Sequence, residues 1–134
     1  MNPMSDSTRL LKLALTADAI VSAAAGLLQV VGGEPLARLL ALPPMLLFET
    51  GLFFLVYAAA VAFVASRRPI PRPAAWVIAI GNLGWAVASL LLLLSGAVAP
   101  SALGAAYVLA QALAVAVFGV AQYAGLGRAR VQTA

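Results

Sequence analysis

Four strongly polar side chains, two carboxylic acids and two amides, each interrupt a different long apolar run of the sequence: Asp18, Glu49, Asn82 and Gln111. A carboxylate at the centre of a bilayer costs about 2.5–3.5 kcal/mol on insertion scales, so such residues usually face the interior of a helix bundle. An acid held there can exchange a proton, bind a cation or hydrogen-bond to a neighbouring helix. The two acids are therefore the first candidates for function.

Helical spacing and depth predict which of these residues meet. Asp18 and Ser22 are four residues apart and share a helix face. Asp18 and Asn82 each lie about eight residues, or about 12 Å, from the beginning of their runs, and Gln111 lies near the middle of its run. We therefore predict an intramembrane polar cluster of Asp18, Ser22, Asn82 and Gln111. Glu49 lies only about 6 Å below the opposite surface and is predicted to be a separate, outer-side acid.

The elements that position these residues are four apolar runs, each about as long as the 20 residues that cross a membrane as a helix. Backbone groups in lipid must be satisfied within the segment, and the strict alternation typical of a membrane barrel is lacking. The sequence therefore predicts one all-α domain over residues 1–134, an antiparallel up-down bundle of four transmembrane helices. Their approximate limits are 10–31, 45–66, 74–95 and 102–124.

The connection between the first two runs has a pattern of its own. Gly33 is suited to ending the first helix, and Pro44 to beginning the second. Between them, Leu36, Leu39 and Leu40 recur at helical spacing. This pattern predicts a short interfacial helix that lies on the membrane surface between helices 1 and 2.

Basic residues are distributed unequally between the two sides of the predicted bundle. Seven of the eight fall at the N-terminal end, in the loop near 67–72 and in the C-terminal tail, which four spans place on one side. These seven are Arg9, Lys12, Arg67, Arg68, Arg72, Arg128 and Arg130. The other side has only Arg38, close to Glu34. The positive-inside rule therefore predicts that both termini are cytoplasmic.

Composition sets the class of protein. The chain is 64% hydrophobic and 9% charged, whereas an ordinary soluble domain has about 45–50% apolar and about 25% charged residues. The sequence has no Cys and no His, which excludes thiol redox chemistry, thiolate or imidazole metal sites and Ser-His or Cys-His catalysis. We expect no catalytic residues, no metal and no cofactor. The net charge of +4 is explained by membrane topology and not by nucleic acid.

Aromatic residues give weaker signals. Trp85 falls near the middle of its run, where its indole N–H needs an acceptor. A group near Glu49 is expected to pack the bundle or anchor it at the interface, the alternative being a pocket for an organic cation. Its members are Phe48, Phe53, Phe54 and Tyr57.

Three functions remain open at this point. The first is a non-catalytic protein, an accessory subunit or assembly protein whose partners are the bilayer and other membrane proteins or a second copy. The alternative is a small proton- or cation-coupled transporter that uses Asp18 and Glu49. A membrane enzyme is a weaker third, since no nucleophile stands beside a base. The excess of Arg over Lys in an Ala- and Leu-rich chain favours a bacterial source, and hence the inner membrane.

Overall fold

Four helices make up the computed structural model, which describes residues 6–133 and the side chains of residues 6–127. They are α1 (Asp6–Leu40), α2 (Pro44–Ser66), α3 (Arg72–Ser95) and α4 (Ala102–Thr133). No strand occurs between residues 6 and 133. All four helices are long and apolar enough to cross a membrane. The prediction of an all-α fold with four membrane-length helices is confirmed, and length and composition define a multi-pass membrane protein.

The helix α1 breaks at Gly33. Its φ of 55° and ψ of −145° lie in a region that is open to glycine and strained for other residues. Pro35 follows two residues later, and a proline, which has no N–H, is tolerated in the first turn of the segment that begins there. Residues 34–40 are thus a separate helical segment where the sequence predicts a short helix. Its position on the membrane surface stays a prediction.

The segment ends in a Schellman motif. Ala41 has a φ of 53°, the left-handed conformation that usually requires glycine at this place. The N–H of Leu42 donates to the carbonyl of Ala37 at 3.1 Å, and the N–H of Ala41 donates to that of Arg38 at 3.3 Å. These bonds satisfy two carbonyls at the helix end and turn the chain toward α2. An L-residue at Ala41 costs about 1–2 kcal/mol relative to a relaxed conformation.

The helices are packed unequally. The helix α1 contacts both α2 and α4 along its length, and α3 packs on α4, whereas α2 and α3 barely meet. At the crossing of α1 and α2, a Cβ added to Gly26 would lie 2.8 Å from the carbonyl oxygen of Gly51. The two glycines therefore allow the backbones to approach closely, as small residues do in membrane bundles. The side of the bundle between α2 and α3, across from the contact of α1 with α4, is a cleft.

Large apolar side chains face outward, and small or polar ones face inward. Val31 is 80% exposed and Leu94 is 83% exposed, whereas Asp18 is fully buried. Two apolar cores lie near the two ends of the bundle, one around Leu15 and one around Leu40. Polar residues fill the space between these cores. This arrangement suits lipid as the solvent, because an outward Leu is as favourable there as an inward one.

We predict that replacing Ala41 by Gly stabilises the protein by about 1 kcal/mol, because the left-handed conformation is then unstrained. Gly33→Ala is expected to lower stability by about 1–3 kcal/mol for the opposite reason. Unfolding by sodium dodecyl sulfate in mixed micelles, followed by circular dichroism, measures both.

Ala60→Gly is the matched control, since Ala60 is exposed in the middle of α2. It is expected to lose up to about 1 kcal/mol of helix propensity. If Ala41→Gly also destabilises, α1 does not end in the conformation described.

Candidate functional site: the Asp18 cluster

The carboxylate of Asp18 is fully buried and joins all four helices. Its Oδ2 accepts hydrogen bonds from the Tyr57 hydroxyl at 2.7 Å, Asn82 Nδ2 at 2.8 Å and Gln122 Nε2 at 2.9 Å. Its Oδ1 accepts one from Ser22 Oγ, a turn further along α1, at 3.2 Å. Asn82 Nδ2 also donates to Gln122 Oε1 at 3.0 Å. We call these five residues the Asp18 cluster.

Neutral dipoles alone surround this acid. The groups that bond to the carboxylate are two hydroxyls and two amides, and none of the basic side chains between residues 6 and 127 contacts it. Within the described residues, every buried side-chain nitrogen and oxygen has a hydrogen-bond partner. A fully satisfied buried network rigidifies a structure and specifies one packing. The cluster therefore holds the four helices together by hydrogen bonds.

The hydroxyl of Tyr57 has two acceptors in reach, Oδ2 of Asp18 at 2.7 Å and Oδ1 of Asn82 at 3.0 Å. It carries a single proton and can donate to only one of them at a time. Rotation of this one hydroxyl therefore switches its hydrogen bond between α1 and α3.

A second polar group lies about seven residues along α1 from Ser22, towards the opposite end of the bundle. Gln29 Nε2 donates to the carbonyl of Leu47 at 2.8 Å and to Thr50 Oγ1 at 2.7 Å. The hydroxyl of Tyr107 donates to Gln29 Oε1 at 2.6 Å. This group links α1 to α2 and α4 by hydrogen bonds, as the Asp18 cluster does at another depth of the bundle.

Trp85 has the acceptor that its position requires. Its indole N–H donates to Gln111 Oε1 at 3.0 Å, and Gln111 Nε2 donates to Ser89 Oγ at 2.9 Å. Ser89 in turn donates to the carbonyl of Trp85 at 2.8 Å. These three residues link α3 to α4 and hold the indole ring in a fixed position at the cleft.

The structure brings together three of the four residues predicted to form the cluster, namely Asp18, Ser22 and Asn82. Gln111 does not join them, because Gln122 lies at the depth of Asp18 and Gln111 is eleven residues, or about 16 Å, away along α4. Tyr57 is the other residue that sequence reasoning missed. The need of a buried tyrosine hydroxyl for a partner is the signal that could have found it.

Glu49, the predicted outer-side acid, is exposed near the beginning of α2 and takes no part in the Asp18 cluster. Of the topology-setting basic residues, Arg9 lies 4.0 Å from Asp6 in an exposed pair. Arg72 donates to the carbonyl of Leu126 at 2.9 Å and fastens the beginning of α3 to α4. The side chains of Lys12, Arg67 and Arg68 are half-buried or exposed, and those of Arg128 and Arg130 lie outside the described residues.

Two cavities lie along the cleft between α2 and α3. The proximal cavity lies next to the Asp18 cluster and the distal cavity next to Gln29. With the part that is open to the outside included, they contain about 570 Å³ and about 440 Å³ of unfilled space. Tyr57 and Asn82 border the first, and Leu42 and Leu46 border the second. The proximal cavity receives residues from all four helices, so the Asp18 cluster forms part of its wall.

Aromatic rings lie where the two cavities adjoin. The rings of Phe53 and Trp85 stack across the cleft with centroids 5.4 Å apart and planes at 9°. Phe54 meets Trp85 edge-on at 5.3 Å. Phe54, Trp85 and Gln111 border both cavities. Contact between α2 and α3 therefore depends on side-chain rings and not on close backbone approach.

No protein-family model matches the sequence, and comparison with curated proteins and with solved structures finds no significant similarity. Among the described residues no three His, Cys, Asp or Glu side chains are grouped as a metal site would require. The chemistry available at the Asp18 cluster is hydrogen bonding and proton binding by one carboxyl group. The chemistry at the cleft is apolar contact.

Replacing Asp18 by Ala is predicted to lower the free energy of unfolding by about 2 kcal/mol, since three interhelical hydrogen bonds are lost at about 0.6 kcal/mol each. Asp18→Asn is expected to lose less than about 1 kcal/mol, because its oxygen can replace Oδ2 and its amide can donate to Ser22. Unfolding in mixed micelles measures both changes.

Glu49→Ala provides the exposed acidic control and should change stability by no more than about 0.5 kcal/mol. Equal losses for Asp18→Ala and Glu49→Ala would mean that the Asp18 cluster does not hold the helices together.

Proposed function

We propose that this protein is a non-catalytic integral membrane protein of the bacterial inner membrane that acts as an accessory or assembly subunit. The observation that carries the proposal is the state of Asp18, which is completely buried and bonded to four neutral groups. An acid used in this way organises the bundle and needs no substrate.

The outer surface supports a role in association. Membrane helices associate through small residues and hydrogen bonds, with lipid-facing side chains exchanged for protein. Exposed positions of α2 include Ala59 and Ala62, two small residues three positions apart on one face of the helix. Another span can therefore approach α2 closely on this face. The partners proposed are other membrane proteins or a second copy of this chain.

The orientation proposed has both termini in the cytoplasm and residues 34–40 on the outer membrane surface. The support is the unequal distribution of basic residues, together with the contact of Arg72 with Leu126 at the end of the bundle where α1 begins. A reporter that fluoresces only in the cytoplasm should be active when fused after Ala134. A reporter enzyme that is active only outside should work when inserted after Ala97, and an inactive insertion there would contradict the orientation.

A proton- or cation-coupled carrier is the second candidate, and one observation favours it. Asp18 is separated from the proximal cavity only by residues of its own cluster and has no basic partner among the described residues, so a proton or cation could neutralise it. Glu49 is exposed on α2 and apart from this cavity, so such a carrier would depend on Asp18 alone.

The two candidates are separated by Asp18→Asn, which keeps the shape of the side chain but cannot ionise. We expect this variant to remain in the same stoichiometric membrane complex as the wild-type protein when purified in mild detergent. Proteoliposomes with a pH gradient and a fluorescent pH dye inside should show no flux above empty vesicles. Flux that Asp18→Asn abolishes and Glu49→Gln preserves would overturn the subunit proposal in favour of the carrier.

A further inference from the structure

The stacked rings of Phe53 and Trp85 bridge the cleft between α2 and α3, which the side chains of residues 6–127 otherwise leave unfilled. Its proximal and distal cavities share Phe54, Trp85 and Gln111 as walls, and they contain about 570 Å³ and 440 Å³ of unfilled space when the part open to the outside is included. Because α2 and α3 barely meet, the gap between them opens this space toward the surrounding lipid. The hydrocarbon of the bilayer is the medium in contact with the cleft.

The polar groups at the cleft are hydrogen-bonded to one another. Tyr57 and Asn82 bond within the Asp18 cluster, and the indole N–H of Trp85 bonds to Gln111. No buried side-chain nitrogen or oxygen of the described residues lacks a partner. A polar solute would have to break these bonds, whereas an apolar chain would leave them intact. The lining therefore selects hydrocarbon.

The length of the cleft corresponds to one leaflet. Gly81 borders the proximal cavity and Leu92 borders the distal one. Over these eleven residues α3 advances about 16 Å at 1.5 Å per residue. This is about half of the 30 Å thickness of the hydrocarbon core. A chain of the length found in one leaflet can thus lie along both cavities.

We propose that the cleft is a binding site for one acyl chain of a phospholipid from the surrounding bilayer. The chain enters between α2 and α3, with its carbonyl end near Leu42 and Leu46 and its methyl end near Asn82. The stacked rings of Phe53 and Trp85 lie alongside it. The inference goes beyond the proposed function and holds whether the protein is a subunit or a carrier, because it needs only that the four helices lie in a membrane.

The test uses Trp85 as the reporter. The chain has two tryptophans, so Trp76→Phe leaves Trp85 as the single emitter. The delipidated variant in detergent is titrated with a phosphatidylcholine whose acyl chains carry bromine, a short-range quencher of indole fluorescence. We expect quenching that reaches a plateau at about one lipid per protein. Quenching that rises in proportion to added lipid without a plateau would overturn the proposal, since it indicates only nonspecific mixing.

Two glycines of α3 provide a matched pair of variants in the Trp76→Phe background. Gly81 borders the proximal cavity and Gly84 borders neither, and both have open space where a Cβ would be added. Gly81→Leu should fill the site and weaken binding by about tenfold or more. Gly84→Leu should leave binding unchanged. Equal affinities of the two variants would contradict the proposal.

A second measurement does not depend on whether the variants fold. The unmodified protein in phosphatidylcholine vesicles is labelled with a phospholipid that carries a photoreactive group near the end of its acyl chain. Preferential labelling of cavity residues such as Val21 and Val115 is expected, above that of outward residues such as Leu94. Labelling confined to outward residues overturns the assignment. Labelling of the cavity residues that falls as protein concentration rises also overturns it and assigns the cleft to a second copy.

Discussion

One buried carboxylate determines how this bundle is put together. An unpaired acid is energetically unfavourable in lipid, and Asp18 offsets this cost by accepting hydrogen bonds from the other three helices. The requirement fixes the relative depth of all four helices, because each donor must reach the same oxygen atom. Few other contacts have this property, since an apolar contact between membrane helices is only slightly better than a contact with lipid.

Lipid as solvent explains why the rest of the interior is composed as it is. Large side chains such as Leu94 lose nothing by facing outward, so the interior can be made of small residues and a few polar groups. Gly26 and Gly51 bring α1 and α2 together along one side. Because the interior consists of small residues, α2 and α3 stay apart, and the rings of Phe53 and Trp85 bridge the gap between them. The close packing of α1 on α2 and the cleft between α2 and α3 therefore both follow from the same interior composition.

The sequence predicted the helices well and the contacts in part. Runs of about 20 apolar residues leave no other solution in lipid, which is why four helices could be predicted. Asp18 and Asn82 lie at equal depth on the first and third spans, which run in the same direction, so their meeting was also predictable. The requirement of Trp85 for an acceptor is confirmed by Gln111. The break at Gly33 occurs where the sequence predicted the end of the first helix.

What the sequence could not specify was rotation and the exact reach of each helix. Gln111 and Gln122 share a face of α4, and only the packed depth of α4 decides which of them meets Asp18. Tyr57 belongs by composition to an aromatic group, and only the rotation of α2 turns its hydroxyl toward the acid. Acyl-chain binding at the cleft likewise depends on a gap between helices, and spacing within one helix does not reveal such a gap.

The unequal packing of the helices has a consequence for biosynthesis. The chain consists of two consecutive hairpins, α1 with α2 and α3 with α4, joined mainly along α1 and α4. The first hairpin to enter the membrane contains Asp18 with Ser22 and Tyr57, and the second contains Asn82 already beside Gln122. Each hairpin can therefore insert with its most polar group partly satisfied. Docking of the second hairpin then supplies the two amides to the acid, and the newly made protein matures in a single association step.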